Sequence, residues 1–432
     1  MSAFSVSSSS GAMVQPCEPT PSGDLNLSVI DKVPELRFKV RILYVFKEGN
    51  EKSVEIIRRA LSKALVPYYP LAGRLQETSG GQLHVSCSGE GVWFVEAYAD
   101  STLADVNYID DAPLNLQEKL LPNSIPVLKG QDPVVLMQVT SFKCGGFVIG
   151  VIFPHSISDG TGISQFLNTV GEFARGLEHP SVEPVWFRDE IPTPSPLRLP
   201  KAPPPVLIPH YELKYAPFDF SRHQIDRLKR EFTLLSGKAC STFEVLTAIL
   251  WKSRTRAINL PHSSIIKLIF YSNARRFLNP RPPKGFYGNC IFPVTVAISS
   301  GWLAEAPLEE VVKLIQETKA KFPDHFNKWL YGKGDEDFIE EPFTAPLDYA
   351  TLCISDIEHI GQDFIDYGWG HPIQTFPVEL SHVMNTHPFG FLCMPPRPKT
   401  GIRLKTWCVD DPHMLSFHDE IIKLLKLNCS RL

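Results

Sequence analysis

The chain has 432 residues, of which 43% are hydrophobic and 21% are charged, and its formal net charge is −4. This length predicts two or three domains, and the composition is that of a globular protein, which excludes a largely disordered chain. The mildly acidic balance gives no support to nucleic acid or an anionic membrane as partner, since proteins that bind these usually show a basic face.

The N-terminal 22 residues are rich in serine, and we expect residues 1–22 to form a flexible tail. They lack the basic start, the apolar run and the cleavage site of a secretory signal. The sequence contains no uninterrupted run of about 18 apolar residues, so we expect no membrane span. The nine cysteines are scattered without a CxxC pair. That pattern argues against a zinc site or a disulfide framework and favours reduced thiols in the cytoplasm.

Prolines divide the chain into two halves of similar length. Eleven of them lie between Pro180 and Pro217, and such a run holds neither a helix nor a central strand, because each proline lacks a donor and fixes φ. The sequence therefore predicts an N-terminal domain over residues 23–180, a crossover linker over 181–217 and a C-terminal domain over 218–432.

Hydrophobic periodicity in the first half predicts a mixture of strands and one amphipathic helix. Val54, Ile57, Leu61 and Leu65 recur on one helical face. The run FVIGVIF is almost wholly apolar, as in a strand covered on both faces. The predicted elements are the strands 38–46, 82–86, 92–97, 134–142 and 147–153 and the helix 51–65.

Two capping boxes open predicted helices in the second half. Ser221 and Gln224 form the first, and its helix ends at Gly237; Ser241 and Glu244 form the second. Both halves mix strands and helices, which predicts the α/β class. The other predicted elements are the strands 265–271, 291–298, 349–354, 390–394 and 402–408 and the helices 306–320 and 412–427.

The segment FPHSISDGTG, residues 153–162, is the strongest local signal for chemistry. His155 directly follows an apolar strand, and a helix follows Asp159 and Gly160. A neutral imidazole placed there can accept a proton from a hydroxyl or an amine that attacks a thioester. Asp159 has two interpretations: it orients the histidine, or it caps the next helix or pairs with a buried arginine.

Metal ligation is a competing interpretation of the same segment. A histidine and an aspartate at positions i and i+4 of one helix can bind zinc. The intervening Ser-Ile-Ser and the following Gly-Thr-Gly argue against a regular helix here, and no third ligand lies nearby in the sequence. GxSxG, P-loop and Rossmann fingerprints are also missing, which removes the usual support for a serine hydrolase, an NTPase or a dehydrogenase.

A second signal is FIDYGWGHP, residues 364–372. Gly368 and Gly370 flank Trp369 after the acid Asp366. Glycine permits sharp turns and close backbone approach. The pattern predicts a tight loop with the indole packed in the core, and such a loop can shape a channel without touching a substrate.

The two signals together resemble the BAHD acyltransferases of plants, in which HxxxDG and a D-aromatic-GWG motif lie about 200 residues apart. Further blocks look like family blocks and occur in the expected order, so the resemblance covers nearly the whole chain. These blocks are YYPLAGRL (68–75), GEGVWFVEA (89–97), QVTSFKCGGFVIGV (138–151), STFEVLTAILWKSRTRA (241–257) and KGFYGN (284–289).

The resemblance implies two chloramphenicol-acetyltransferase-like domains, mixed sheets flanked by helices, with a channel between them. It implies that His155 is the general base and that Asp159 holds the loop through Arg275. Asp366 and Trp369 would support the coenzyme A (CoA) side of the channel. Acyl-CoA would be a co-substrate rather than a bound cofactor, the acceptor a small molecule, and the protein a cytoplasmic monomer.

The helix start at Ser241 and Thr242 falls where the family often contacts CoA, although a plain N-cap explains these residues equally well.

Three departures from the family pattern bear on the substrate. Tyr367 stands where phenylalanine is usual, and Asn273 stands where an aspartate often precedes the paired arginine. His371 replaces an arginine that many members acylating shikimate or quinate carry, which argues against an acidic acceptor.

Other segments look most similar to hydroxycinnamoyl-CoA:monolignol transferases and their benzoyl-transferring relatives, and they suggest an aromatic acyl donor and a neutral alcohol. These segments are DYGWG, SRTRAINL (253–260), YGNCIFPVTV (287–296) and NKWLYG (327–332). The alternatives are an amide made from a cyclic amine, a polyamine or an arylalkylamine, and a catalytically silent binding protein. The intact His155 argues against the last.

Overall fold

The structure, a computed structural model, describes residues 4–122, 132–194, 211–332, 342–343, 348–378 and 387–427. Its strands form a seven-stranded, a six-stranded and a three-stranded sheet. The strands are β1 (Val6–Ser8), β2 (Ala12–Val14), β3 (Asp24–Asn26), β4 (Lys39–Phe46), β5 (Arg74–Glu77), β6 (Leu83–Ser86), β7 (Val92–Ala99), β8 (Leu136–Phe142), β9 (Phe147–Pro154), β10 (Lys214–Phe220), β11 (Ile265–Asn273), β12 (Ile291–Ser299), β13 (Thr351–Asp356), β14 (Gln374–Pro377), β15 (Phe389–Cys393) and β16 (Ile402–Val409). The α-helices are α1 (Ser53–Ala64), α2 (Leu114–Glu118), α3 (Gly160–Ala174), α4 (Arg222–Ser236), α5 (Thr242–Ile258), α6 (Ser300–Glu305), α7 (Leu308–Tyr331) and α8 (Asp411–Leu427).

The seven-stranded sheet organises the first half of the chain. Its order is β1-β7-β8-β9-β4-β14, and β2 also pairs with β7. The apolar strand β9 lies between β8 and β4 and is antiparallel to both, while β7 and β8 run parallel. Helices α1 and α3 bury Ile57, Leu61 and Phe166 in the core with residues of this sheet. The predicted strands and the predicted helix of this half are confirmed.

The six-stranded sheet organises the second half, in the order β10-β16-β15-β13-β11-β12. Strands β11, β13 and β15 run parallel, and the other pairs are antiparallel. The long helix α5 is buried nearly all round, because it lies among α4, α7, α8 and the sheet. Both predicted capping boxes form at Ser221 and Ser241, and Gly237 ends α4 with a φ of +70°.

Strand β14 joins the two halves. It comes from the predicted C-terminal range 218–432 but pairs with β4 in the first sheet, Thr375 lying opposite Tyr44. This exchange could not be predicted from the sequence, because a four-residue strand carries little periodicity and its partner is more than 300 residues away.

A charged cluster also ties the halves together. The Arg403 guanidinium on β16 bonds Asp219 of β10 at 2.6 and 2.9 Å, and it pairs with Asp110 from a loop of the first half. Lys405, two residues on, lies with its ammonium 4.0 Å from the ring centre of Phe376 on β14. One face of the second sheet is therefore turned toward the first half, opposite the face that its helices cover.

Two short strands lie within residues 1–22, the segment expected to form a flexible tail. Strands β1 and β2 both pair with β7, with Ser7 opposite Tyr98 and Met13 opposite Trp93. Edge strands need little apolar side-chain pattern, because their backbone hydrogen bonds supply the pairing, and a serine-rich segment can adopt them.

The predicted linker 181–217 and one helix also differ from expectation. Residues 195–210 of the linker lie outside the described residues, and its last four residues belong to β10. Pro217 fits there because β10 is an edge strand. Helix α7 runs past the predicted end at residue 320 and contains Pro323. Buried Phe322, Phe326 and Leu330 extend its apolar face, and that packing offsets the cost of the proline.

Candidate functional site

His155 sits at the junction of a strand, a turn and a helix. Strand β9 ends at Pro154, a 3-10 turn covers His155–Ile157, and α3 starts at Gly160. The His155 backbone N–H donates to the carbonyl of Phe38 at 2.8 Å, and the two rings lie 5.2 Å apart between centroids. The turn thus fixes the imidazole beside the start of β4, between the two sheets.

His155 is enclosed by protein, yet the residue keeps partial solvent exposure. Its Nδ1 is buried with no hydrogen-bond partner among the described residues. Burial lowers the pKa of His155 below its ordinary value, and the nearby Asp159 opposes this only in part. The ring is therefore neutral at physiological pH and can accept a proton.

The Asp159 carboxylate stabilises the turn that carries His155. Its carboxylate takes two hydrogen bonds from the Arg275 guanidinium, at 2.8 and 2.9 Å. It also accepts from the backbone N–H of Gly162 at 3.0 Å, as the N-cap of α3, and from that of Cys290 at 3.1 Å. Burial alone would raise the pKa of Asp159, but Arg275 and these hydrogen bonds hold it below the usual range. The carboxylate therefore remains charged, and all of its hydrogen bonds go to Arg275 and to backbone N–H groups that hold the turn.

A second buried ion pair holds the same turn, and sequence reasoning missed it. Arg188 Nε bonds Asp31 at 3.0 Å, and another guanidinium N–H donates to the carbonyl of Ile157 at 2.5 Å. Asn289 donates both to Asp31, at 2.8 Å, and to the carbonyl of His155, at 2.7 Å. Charged residues within apolar stretches are a weak signal for such a pair, and nothing local reveals the partner.

Glycines let the segment after His155 pack closely. A Cβ at Gly160 would lie 2.7 Å from Ile360 Cδ1, and one at Gly162 would lie 2.0 Å from the carbonyl oxygen of Tyr287. Gly162 is therefore required by space at the start of α3, because the atom it meets is backbone, whereas the end of the Ile360 side chain can shift away from residue 160.

The DYGWG loop folds around its own aspartate. Asp366 accepts hydrogen bonds from the backbone N–H groups of Gly368 and Gly370, at 2.8 and 3.0 Å. Both glycines have positive φ, +102° and +89°, which disfavours a side chain. Tyr367 packs on Phe46 and Trp369 on Phe147, while Arg175 of the turn after α3 bonds the Asp366 carbonyl. The loop thus lies against the first sheet and α3, although the predicted domain boundary placed it in the C-terminal domain.

We expect Gly171→Ala to destabilise the protein, because its Cβ would lie 2.4 Å from the backbone oxygen of Asp366. Overpacking of this kind costs about 1–3 kcal/mol. Thermal melts should show a lower transition for this variant than for Gly80→Ala, where the nearest atom to the new Cβ is 3.8 Å away. Equal melting temperatures for the two variants would contradict the close contact.

The other predicted residues take structural positions. Ser241 caps α5 through the Glu244 N–H at 3.2 Å, and Thr242 begins that helix. Asn273 accepts from the Arg275 backbone N–H at 3.0 Å and so orients the turn that carries the guanidinium. Among the described residues, no group of His, Cys, Asp and Glu could hold a metal ion. Over the same part of the chain, no helix is long and apolar enough to cross a membrane.

The profile of the family described as Transferase family matches residues 4–423. The chain belongs to the BAHD acyltransferases. It is therefore an acyl-CoA-dependent acyltransferase, as the sequence resemblance implied.

Relatives of the BAHD chain include two named for O-acylation and one for N-acylation. A myricetin 3-O-glucosyl 1,2-rhamnoside 6'-O-caffeoyltransferase of Crocosmia x crocosmiiflora is 40% identical, covering 97% of this chain and 99% of the relative. Benzyl alcohol O-benzoyltransferase of Petunia hybrida is 34% identical, covering 87% and 84%. A 3'-N-debenzoyl-2'-deoxytaxol N-benzoyltransferase of Taxus canadensis is 32% identical, covering 96% and 95%.

Two solved structures have folds similar to that of this chain. Vinorine synthase has a TM-score of 0.75 at 18% identity, with 97% of this chain and 98% of that chain covered. The F. sporotrichioides TRI101 structure, a complex with coenzyme A and T-2, has a TM-score of 0.70 at 17% identity, with 94% and 97% covered. These likenesses confirm the predicted fold class.

Proposed function

We propose that this BAHD enzyme transfers an aromatic acyl group, of the hydroxycinnamoyl or benzoyl type, from CoA to a neutral alcohol. His155 is the general base, and attack is direct. The observation that carries the proposal is the partly exposed His155 between the two sheets, whose pKa burial lowers. The relatives named for caffeoyl and benzoyl transfer support the acyl class.

In the proposed reaction, His155 takes the proton of the acceptor hydroxyl as its oxygen attacks the thioester carbonyl. The tetrahedral oxyanion then collapses and expels the CoA thiolate, which takes up a proton. An acyl-enzyme is unnecessary when both substrates meet at one imidazole, and holding them together supplies much of the rate. Asp159 and Arg275 keep the turn in place and take no part in proton transfer.

Binding of CoA is proposed at the N-terminus of α5, where Ser241 is exposed and Thr242 half-buried. The Ser241 hydroxyl already caps the helix, so Thr242 offers the freer hydroxyl of the two. We further propose that the enzyme acts as a cytoplasmic monomer. Eight described cysteines are free thiols, in keeping with a reducing compartment.

The pH profile should report the lowered pKa of His155. A general base must be unprotonated, so kcat/KM falls as pH drops through the pKa of the free enzyme's base. Because burial lowers that pKa from 6.5, we expect the acid limb to have its midpoint below pH 6.5. Initial rates with an alcohol acceptor, which does not itself titrate in this range, would measure it. A midpoint above 6.5 would contradict the assignment.

A matrix assay tests the proposed function. Cinnamoyl-, coumaroyl-, caffeoyl-, feruloyl-, benzoyl- and acetyl-CoA are each combined with alcohols and amines, and free CoA thiol is measured with product identification. We expect aromatic donors with neutral alcohols to give the highest turnover. Preference for acetyl-CoA, or release of thiol without an ester product, would contradict the proposal.

A second candidate is amide formation from an amine, and two observations favour it. One relative is named as an N-benzoyltransferase. An acid, Glu35, also lies near the catalytic turn with no cation paired to it in the described part of the chain. Amines in the same matrix distinguish the two reactions, because an amide resists the mild alkaline hydrolysis that cleaves an ester.

A further inference from the structure

The face of the second sheet that is turned toward the first half carries a row of side chains across four strands. Residues alternate along a strand, so Phe270 points to the helices and Tyr271 to the opposite side. Phe270 pairs with Ile354, which places Ser355 beside Tyr271. Ser355 pairs with Phe391, and Phe391 pairs with Lys405. Because neighbouring strands lie about 4.8 Å apart, this row spans about 14 Å.

Phe38 connects that row to the catalytic histidine. Its ring lies 5.2 Å from the His155 ring, and it packs in one apolar cluster with Phe391 and Trp407 of the second sheet. The reaction proposed at His155 puts its substrates in the space beside Phe38 and this row. An aromatic or apolar group of a substrate fits such walls.

Glu35 precedes Phe38 by three residues in the segment before β4. It lies in the 3-10 turn Pro34–Leu36. The carbonyl of Leu36 accepts the Ser156 hydroxyl at 3.0 Å, so this turn is bonded directly to the catalytic turn. The carboxylate acts electrostatically on Tyr271, the first member of the row. Glu35 is thus fixed between the catalytic turn and the second sheet.

The Glu35 carboxylate is half-buried without a compensating cation. Its Oε2 is buried and has no hydrogen-bond partner among the described residues. Burial raises the pKa of this carboxyl, and a hydrogen bond from the residue's own backbone N–H opposes the rise only in part. The nearest basic residue along the chain, Arg37, is exposed and bonds Glu77 at 2.9 Å and the Gly81 carbonyl at 3.1 Å. A buried acceptor left unpaired destabilises the fold, which is expected at a site whose partner arrives with a ligand.

We infer that Glu35 is a specificity residue for the acceptor: its carboxylate binds a hydrogen-bond donor that the acceptor carries apart from the atom that is acylated. The inference rests on the proposed acyl transfer at His155. It narrows the acceptor to an apolar or aromatic alcohol with a second donor, which is either a hydroxyl or a protonated amine. Glu35 acts by positioning and takes no proton from the reacting atom.

Matched acceptors and variants of the intact enzyme test this inference. Benzyl alcohol carries no second donor, 4-hydroxybenzyl alcohol carries a hydroxyl, and 4-(aminomethyl)benzyl alcohol carries an ammonium. With benzoyl-CoA or caffeoyl-CoA as donor, kcat and KM are measured for Glu35→Ala and Glu35→Gln. Because a site that bonds a donor discriminates against analogues lacking it, we expect Glu35→Ala to reduce the preference for a bifunctional acceptor by at least about tenfold, mainly through KM.

The two bifunctional acceptors distinguish a hydroxyl from an ammonium as the group that donates a hydrogen bond to Glu35. Glu35→Gln keeps the size and one acceptor oxygen but loses the charge, so it should spare a hydroxyl partner more than an ammonium partner. Glu77→Gln, which removes a carboxylate bonded to Arg37 outside this space, should keep the wild-type ratio between acceptors. Circular dichroism and melting temperature establish that each variant is folded. If Glu35→Ala does not fold, the isosteric Glu35→Gln is used for the comparison.

Two results would overturn the inference in distinguishable ways. If the wild type esterifies these alcohols and neither bifunctional acceptor loses its preference over benzyl alcohol in Glu35→Ala, Glu35 is not a specificity residue and the proposed function stands. If the wild type releases no CoA thiol with any acceptor, the proposed function itself fails, and the inference fails with it.

Discussion

His155→Ala should lower the turnover of acyl-CoA and alcohol by between about a hundredfold and ten-thousandfold, the range that a general base supplies. The backbone N–H of residue 155 would still bond the Phe38 carbonyl, and Asn289 would still bond the carbonyl of residue 155. The turn therefore keeps its anchors, and the variant should fold. Steady-state release of CoA thiol measures the loss, while circular dichroism and melting temperature check the fold.

The matched control is His359→Ala, since the His359 side chain is 83% exposed and lies outside the catalytic turn. It should retain full turnover. Added imidazole gives a sharper test, because the space left by the missing ring is partly open and a small base can enter it. Partial rescue that grows with imidazole concentration and with pH supports proton abstraction. A His155→Ala enzyme with more than a tenth of wild-type turnover would refute the assignment of the base.

Local signals in the sequence predicted most of the elements, because each depends on residues close together in the chain. Ser221 with Gln224 and Ser241 with Glu244 set helix starts that form as predicted. The apolar run that ends at Pro154 predicted the central strand β9. Short edge strands were missed, since β1 and β14 are stabilised by partners far away in sequence and not by a pattern of their own.

The site was predictable only in part for the same reason. His155 and Asp159 stand out because they flank a strand end and a helix start, and Arg275 was reached through the family resemblance. Arg188 and Asp31 lie 157 residues apart, and no spacing links them before the chain is folded. Glu35 was also overlooked, because an acid in a polar-looking segment is ordinarily on the surface and only the tertiary structure shows that it is half-buried without a cation.

Asp159→Ala should destabilise the protein strongly, because it leaves the Arg275 guanidinium without its carboxylate in a site with little solvent. The Asp159 side chain is 4% exposed and that of Arg275 is 19% exposed. Removing one partner of such a buried pair costs about 3–5 kcal/mol. The same change removes the cap on the Gly162 N–H and the acceptor for the Cys290 N–H. We expect a lower melting temperature, poorer solubility and a loss of turnover that follows the loss of folded protein.

A double-mutant cycle separates this structural role from a chemical one. Asp159→Ala with Arg275→Met should be less damaging than the two single losses added together, because the second change removes the unpaired charge that the first leaves behind. Asp132→Ala, which breaks an exposed pair with Lys39, should cost no more than about 1 kcal/mol. A stable, soluble and inactive Asp159→Ala enzyme would instead mean that the carboxylate acts on the imidazole. Since all of its hydrogen bonds go to Arg275 and to backbone N–H groups, we expect stability and activity to fall together.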